Sequence, residues 1–547
     1  MNSRQPLVFK FATEEWEFEQ IHRLNYKTFV EEIPQHQRSP HERLVDKFHA
    51  ENTYLICLSG NKLAGMLAAR GQRPFSLDQK LENLDSYLPA GHTLFEVRLL
   101  AIEKQFRGAQ VLQGLLALLW QHGIEKGYSM AVISGTTRQF RLYQHLGFVP
   151  FGPTVGTGEA QFQPMYLTME TFEASAREFL RSSPSRSFQA GAVNFLPGPV
   201  AVRRQVRRAF EQAPESHRGQ AFIKDFHATK KILTGLVQAR YMELLLGSGT
   251  LANDVIGAQL SLGSMPGIVL VNGEFGQRLM DHARRFQLKF QTIQSEWGRP
   301  LDLLAVRKAL EKSPGIGWLW CAHCETSTGV LNDIDTLKAL CAEFQVKLCV
   351  DCISSIGTLP VNLSGVYLAS GSSGKGLRSY PGIAMVYYNH EIESQPERLP
   401  RYLDLGYYAE QQGVPFTFSS NLLHALHAAI KHIDWEKRFG EIENLSEFLR
   451  GKLEEMDFTL VGRQARTSPA VVTISLPEEM SSTRIAELLH ESGYLVSYAS
   501  EYLRKKNWMQ ICLMGECTRE KTVSLLNALK RICLKQTLAQ NEAWQQD

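Results

Sequence analysis

No apolar run in this chain approaches the ~20 residues that a membrane-crossing helix needs, so no membrane span is expected. The opening Met1-Asn2-Ser3-Arg4-Gln5-Pro6 lacks the apolar core of a secretory signal. An excess of one charge is missing too. Lys and Arg total 59 against 56 Asp and Glu, and the formal net charge of +3 gives no ground for a nucleic-acid partner. Nine cysteines, an odd number scattered over 547 residues, fit a reducing cytoplasm better than a disulfide framework. Cys321-Ala322-His323-Cys324 looks like a metal or redox pair, but no second pair follows at a zinc-like spacing, and no metal site is expected. Internal repeats are absent. The one short biased stretch is Arg181-Ser182-Ser183-Pro184-Ser185-Arg186-Ser187, polar and without periodicity, inside a linker placed at 173–193.

What is present points to α/β architecture in more than one domain. Residues 366–369 read as a buried strand, and Ser370-Gly371-Ser372-Ser373-Gly374-Lys375 follows. A lysine enclosed among small residues past a strand end loses its proton readily, because burial disfavours the ammonium. The neutral amine can form a Schiff base with an aldehyde. Residues 346–350 read as another strand, ending at Asp351, where ligands bind in an open α/β sheet. Gly247-Ser248-Gly249-Thr250 is a glycine-containing turn feeding a helix, and such a helix start favours a phosphate. Taken singly, each has a plainer meaning: a solvated lysine, a capping aspartate, an ordinary N-cap. Together they meet the needs of pyridoxal phosphate (PLP): an amine for its aldehyde, a carboxylate for its pyridine nitrogen and a phosphate cradle.

Residues 8–172 make a first unit. Residues 16–30 have helical periodicity, and 53–58, 62–69, 94–102 and 130–134 read as strands. A helix spans 111–123, and another runs through Tyr143 to Gly147-Phe148. This order resembles the GNAT acyltransferases, an α+β fold. Gln105, Gly108 and Gln110 lie on the family's Q/R-x-x-G-x-G/A loop, with glutamine at the last position. The resemblance implies that Arg107 and the backbone at Gly108 and Ala109 hold the pyrophosphate of acyl-CoA. It also makes Tyr143 a general acid to the leaving thiolate and Glu96 a base acting on an amine through water. Asn25-Tyr26-Lys27-Thr28-Phe29-Val30-Glu31-Glu32 and Phe95-Glu96-Val97-Arg98-Leu99 resemble the acyl-homoserine lactone and N-acyl amino acid synthases, which implies acyl-CoA or acyl carrier protein as donor.

From Asn194 onward, strands at 267–271, 316–320, 346–350 and 383–388 alternate with helical patterns, as in a largely parallel sheet covered on both faces. The pattern changes near Gly440, giving a large domain at 194–439 and a small α+β domain at 440–547. Pro197-Gly198-Pro199, Ser216-His217-Arg218, Asn272-Gly273-Glu274-Phe275-Gly276-Gln277-Arg278, His323-Cys324-Glu325-Thr326-Ser327-Thr328-Gly329, Asp351, Lys375 and Pro381-Gly382 stand in one order. That order resembles the class V, fold-type I PLP enzymes, nearest the 2-aminoethylphosphonate–pyruvate and alanine–glyoxylate aminotransferases. The resemblance implies that Lys375 bonds the cofactor and shuttles the Cα proton, and that Asp351 pairs with the pyridinium. It puts Ser248, Gly249, Thr250 and Ser372 on the phosphate, Phe275 stacked on the ring, and Thr326 beside it. Pro415-Phe416-Thr417 resembles the segment that a second subunit lends to the phosphate, which implies a homodimer and puts Thr417 on the cofactor.

One position departs from the family. Its R-I-G-x-x-G arginine, a fork for the substrate carboxylate, is Gln510 here, in Met509-Gln510-Ile511-Cys512-Leu513-Met514-Gly515. Arg378 and the Arg504-Lys505-Lys506 cluster are the replacement cations considered. The expectation is a cytoplasmic bifunctional enzyme. An aminotransferase takes a small amino donor and a keto acceptor, and an N-acyltransferase acts on an amine. The alternative is a PLP lyase, decarboxylase or desulfurase whose GNAT-like unit is an acyl-CoA sensor or a non-catalytic module.

Overall fold

A computed structural model describes residues 7–12, 14–33, 37–157, 160–168, 171–172 and 193–544. The expected linker, apart from Val193, lies outside the described residues. The chain divides into two compact units, Met1–Val193 with Glu520–Ser524, and Asn194–Arg519 with Leu525–Asp547.

The first unit runs β1 (Leu7–Phe11), α1 (Glu15–Tyr26), β2 (Thr53–Ser59), β3 (Lys62–Arg70), β4 (Leu94–Ile102), α2 (Ala109–Lys126), β5 (Met130–Thr136), α3 (Phe140–His145), β6 (Val149–Pro150), β7 (Val155–Thr157) and β8 (Ala160–Thr168). These strands form one sheet in the order β1-β2-β3-β4-β5-β8-β6, with β7 on β8. Alternation along β2 explains why the sheet is covered twice. Leu55 and Cys57 pack with Leu115, Leu118 and Leu119 of α2, while Tyr54, Ile56 and Leu58 pack with Ile21 and Leu24 of α1. The helix expected over 16–30 ends as α1 at Tyr26 and continues as a π-type turn, Lys27–Glu32.

The parallel pair β4–β5 matters most. It is bonded only from Leu94↔Met130 to Glu96↔Val132, although β4 continues to Ile102 and β5 to Thr136. Leu99 has φ 55, and the register of β4 on β3 shifts between Met66 and Ala68. An irregularity of this kind bends its strand. The two strands part beyond Glu96 and leave a cleft.

The second unit carries β9 (Tyr241–Gly247), α4 (Gly249–Ser261), β10 (Gly267–Val271), α5 (Glu274–Arg285), β11 (Phe290–Gln294), β12 (Trp318–Ala322), β13 (Lys347–Asp351), β14 (Leu368–Ser372) and β15 (Gly382–Tyr388). Their sheet has the order β9-β15-β14-β13-β12-β10-β11. Only β15 runs against its neighbours; the remaining pairings are parallel. The α/β reading with a mostly parallel sheet therefore holds. Residues of β10, β12 and β14 are buried throughout, as a sheet covered on both faces requires. β9, β13 and β14 all point the same way, so Gly247, Asp351 and Ser372 end on one edge.

Helix α6 (Trp435–Glu454) crosses the expected 439/440 boundary. Beyond it, Thr459–Leu460, β16 (Val471–Ser475) and β17 (Trp508–Cys512) form a small antiparallel sheet. The strand expected at 366–369 lies two residues later. Ser370, Gly371 and Ser372 pair with Val386, Met385 and Ala384 of β15. A Cβ on Gly371 would sit 3.1 Å from Tyr387 and 3.2 Å from Ile356, so this stretch must be small.

Candidate active site

The sheet edge where β9, β13 and β14 end opens into a pocket of about 700 Å³. Lys375 lies three residues past β14, and two neighbours set its position. Ser373 Oγ donates to Tyr380 O at 2.6 Å and accepts from Ile383 N at 3.2 Å, which closes the loop. Gly198 lets the Pro197-Gly198-Pro199 turn lie against it, since a Cβ there would be 3.0 Å from Gly374 O and 3.3 Å from Lys375 Cγ. Lys375 Nζ donates to Ser354 Oγ at 2.9 Å, and that hydroxyl shares a 2.5 Å bond with Thr326 Oγ1. Desolvation pushes the Lys375 amine below its ordinary value; Asp351 pulls it back up.

Asp351 is anchored twice. Oδ2 accepts from Asn253 Nδ2 and Oδ1 from Ile353 N, each at 2.9 Å. Asn253 sits one turn into α4, so the helix that starts the phosphate cradle also fixes the carboxylate. At that start, the Ser248 side chain makes no capping bond to its own helix and lines the pocket with Gly249 and Thr250. Gly249 is demanded by Ile353, whose Cδ1 would lie 2.6 Å from a Cβ. Ser372 lines the same wall.

Phe275 faces this group across the pocket, with Lys375 Nζ 5.3 Å from its ring centre. It stands at the start of α5, whose N-cap is Gly273. The missing cap comes from another loop: Glu325 accepts from Phe275 N at 3.2 Å, Gly276 N at 3.0 Å, Ser327 N at 3.2 Å and Ser327 Oγ at 2.5 Å. The loop holding Phe275 is thus the loop carrying Thr326. Asn253, Ser354, Ile353, Glu325 and Arg278 carry no role in the sequence reading; Glu325 and Arg278 lie inside its motifs, and Asn253 and Ile353 beside them.

Two expected residues, Arg378 and Gln510, are elsewhere, and Thr417, expected to serve a second subunit, does not line this chain's pocket. Arg378, the candidate carboxylate cation, is buried, is not among the pocket-lining residues, and is ion-paired to Glu516, which also binds Arg203 at 2.7 Å. Gln510 is fully buried and does not line the pocket either. Its amide donates to Thr326 O at 2.6 Å, Ser327 O at 3.2 Å and Thr473 Oγ1 at 2.9 Å, and Tyr502 OH donates to its Oε1 at 3.4 Å. It fastens the loop of Thr326 and Ser327 to the small sheet, a task that needs donors and no charge. Thr417 is exposed and away from this chain's own pocket. In the 504–506 cluster, Lys506 lies over Trp297 and Trp508, 4.8 and 5.0 Å from their rings. His323 is a buried strand-end histidine, Nδ1 3.0 Å from Ser355 Oγ, with its pKa pushed down to about 4 by burial.

In the first unit, Glu96 occupies the last bonded position before β4 and β5 part. It is buried, accepts from Ser76 N at 2.9 and 3.0 Å and from Ser76 Oγ, and lies 3.6 Å from Arg98 Nε. Arg98 forms a two-pronged pair with Asp46, both contacts at 3.0 Å. Tyr143 packs on Gly135 of β5 and contacts Gln139 Oε1 at 3.5 Å. Burial raises its pKa, which keeps the phenol protonated at neutral pH. Gly108 is the N-cap of α2 with open space before it. Arg107 leans back instead, onto Glu32 and Ile102 O (3.1 Å). That pair is part-exposed, with 47% of the arginine and 26% of the glutamate side chain open to solvent, and such pairs contribute little, so it yields to a stronger anion.

The donor set fits the cofactor implied by sequence: an amine of lowered pKa, a doubly anchored carboxylate, an unspent serine at a helix start and a facing ring. Residues 212–499 match the aminotransferase class-V family model, and residues 20–169 match that of the N-acyl amino acid synthase FeeM. An uncharacterized aminotransferase of Methanocaldococcus jannaschii is 26% identical over 357 residues, covering 62% of this chain and 92% of the relative. A 2-aminoethylphosphonate–pyruvate transaminase of Bacillus cereus is 22% identical over 300 residues, covering 52% and 82%. The structure of an alanine–glyoxylate aminotransferase from Nostoc sp. aligns with TM-score 0.59 at 27% identity, covering 64% of this chain and 98% of that one.

Proposed function

From the premise that the chain belongs to the class-V aminotransferase family, we propose that its second unit uses PLP to move an amino group from a small donor to a keto acceptor. The first unit, on this reading, N-acylates an amine, with acyl-CoA or acyl carrier protein as donor. The single supporting observation is the convergence of Lys375, Asp351, Phe275 and the Ser248–Thr250 turn on one pocket. Ser248, Gly249, Thr250 and Ser372 would hold the phosphate, and Asp351 would keep a proton on the ring nitrogen. Once bound, the cofactor supplies an electron sink at the substrate's Cα. Lys375 Nζ, aimed by Ser354, takes the Cα proton and returns it, while Phe275 excludes water from one face.

In the first unit, Tyr143 gives a proton to the leaving thiolate, and Glu96 draws one from the amine through water at the strand cleft. Gly108 and Ala109 offer backbone N–H groups to the donor's pyrophosphate, with Arg107 released from Glu32. One product feeding the other unit would gain from the shared chain through effective concentration. A homodimer is part of the proposal, because exposed Thr417 then serves the neighbour's phosphate. So is a cytoplasmic location; among the described residues, no helix is long and apolar enough to cross a membrane.

Borohydride reduction of the PLP-reconstituted chain should tag the peptide containing Lys375, and mass spectrometry of a donor, acceptor and acyl-donor pool should give a transaminated product. A colourless protein with no tag refutes the reading. With Gln510 off the pocket, the alternative is a PLP lyase, decarboxylase or desulfurase, which would release product from an amino acid without any keto acceptor.

A further inference from the structure

With Gln510 withdrawn into the Thr326 loop and Arg378 closed on Glu516, the pocket still contains cations. Apart from Lys375, its lining includes Arg278 and Arg285, both on α5. Arg285 lies two turns farther along, about 10 Å down the axis. Arg278 is one turn from Phe275, with its guanidinium 4.8 Å from the centre of the ring that Lys375 Nζ approaches at 5.3 Å. It is near enough to the reactive amine to oppose its protonation, after burial, and near enough to Tyr502 to favour that phenol's ionised form. Tyr502 in turn contacts Gln510. Arg278 is ion-paired with Glu274, four residues back on the same helix face, at 3.0 Å with 55% of the arginine side chain exposed. Pairs of that kind are worth little, so the fork is available to a stronger anion.

We infer that Arg278 is the anion clamp of this pocket: the amine substrate carries a carboxylate, and the Arg278 fork grips it from α5 instead of from the small-domain strand. This rests on the transamination reading. A two-pronged guanidinium–carboxylate pair fits such a role, and Phe275 beneath the guanidinium limits its sweep.

The test uses the PLP-loaded full-length chain and single-turnover loss of the visible cofactor absorbance. L-alanine and 3-aminopropanoate are compared with ethylamine and propylamine, which lack the carboxylate. Wild type should react with the carboxylated amines at far lower concentration. Arg278→Ala should raise their half-saturating concentration by roughly 10- to 100-fold, with the limiting rate changed by less than about threefold and uncharged amines unaffected. Arg278→Lys should recover part of the loss. The clamp is overturned if wild type has no preference for carboxylated amines, if Arg278→Ala keeps that preference, or if it sheds the cofactor. Should wild type respond to no amine, transamination itself has failed. The clamp is then judged by an unreactive dicarboxylate, succinate, which must shift the cofactor spectrum of wild type and not of Arg278→Ala.

Discussion

Gln510→Ala separates two roles for the residue standing where relatives carry an arginine. In the structure Gln510 touches no pocket surface; its amide ties Thr326 O, Ser327 O and Thr473 Oγ1, at 2.6, 3.2 and 2.9 Å. Truncation strands the buried Thr326 O and leaves Ser327 O with the 3.4 Å bond from Thr473 Oγ1, so at ~1–3 kcal/mol for one stranded carbonyl the second unit should lose about 1–3 kcal/mol. In a unit of this size each kcal/mol shifts the melting temperature by about 1–2 °C, and the expected fall is about 1–6 °C. The chemistry should suffer through the same loop. Thr326 shares its hydroxyl bond with Ser354, which orients Lys375 Nζ, so kcat should drop more than the donor's KM rises. Differential scanning fluorimetry on the PLP-loaded chain, beside steady-state kinetics over a donor series, reads both. A residue that grips substrate behaves in the opposite way. An unchanged melting temperature with a raised KM would refute the loop-fastening role.

Cofactor loading should speed up as pH rises, with a midpoint below the ordinary lysine value, because desolvation lowers the Lys375 pKa and its neutral form is the nucleophile. Asp351→Asn removes the charge that favours the ammonium, so its midpoint should move further to acid; stopped-flow absorbance shows the shift, and a move to alkaline pH contradicts it. By the same depression, the cofactor-free second unit binds fewer protons at Lys375 than its unfolded chain, so its stability should rise with pH from the lowered value up to the ordinary one, as urea titrations across that window can check. Tyr143→Phe should cut acyl transfer by roughly 10²-fold or more and leave transamination intact, as parallel product assays would show. Glu325→Gln turns a donor toward backbone N–H groups that now have an acceptor; PLP should bind about tenfold more weakly and its visible circular dichroism should fall, while the Tyr143-dependent acylation is unmoved.

What the sequence made legible is local chemistry with a strong signature, and what it hid is tertiary repair. Asp351 and Lys375 stand out because strand ends beside small residues are visible in one dimension. Glu325 does not, since its task is to cap a helix that begins 51 residues earlier, at Glu274, and nothing in its own neighbourhood states that need. The same cause hid strands. β9 carries Glu243 in its middle, which looks like a break until Lys230 Nζ at 2.8 Å and Tyr388 OH at 3.1 Å are seen to satisfy it. β8 holds Pro164 opposite Ser134, and a proline in mid-run argues against a strand. Gln510 is the sharpest case. From sequence it is a lost charge that weakens the likeness to relatives; in the fold it is a neutral donor set among carbonyls, where an arginine would add a buried cation. The substitution therefore relocates the anion problem, and only the three-dimensional neighbourhood of Phe275 shows where: to an arginine three residues away on the same helix, inside a motif otherwise read for its aromatic ring.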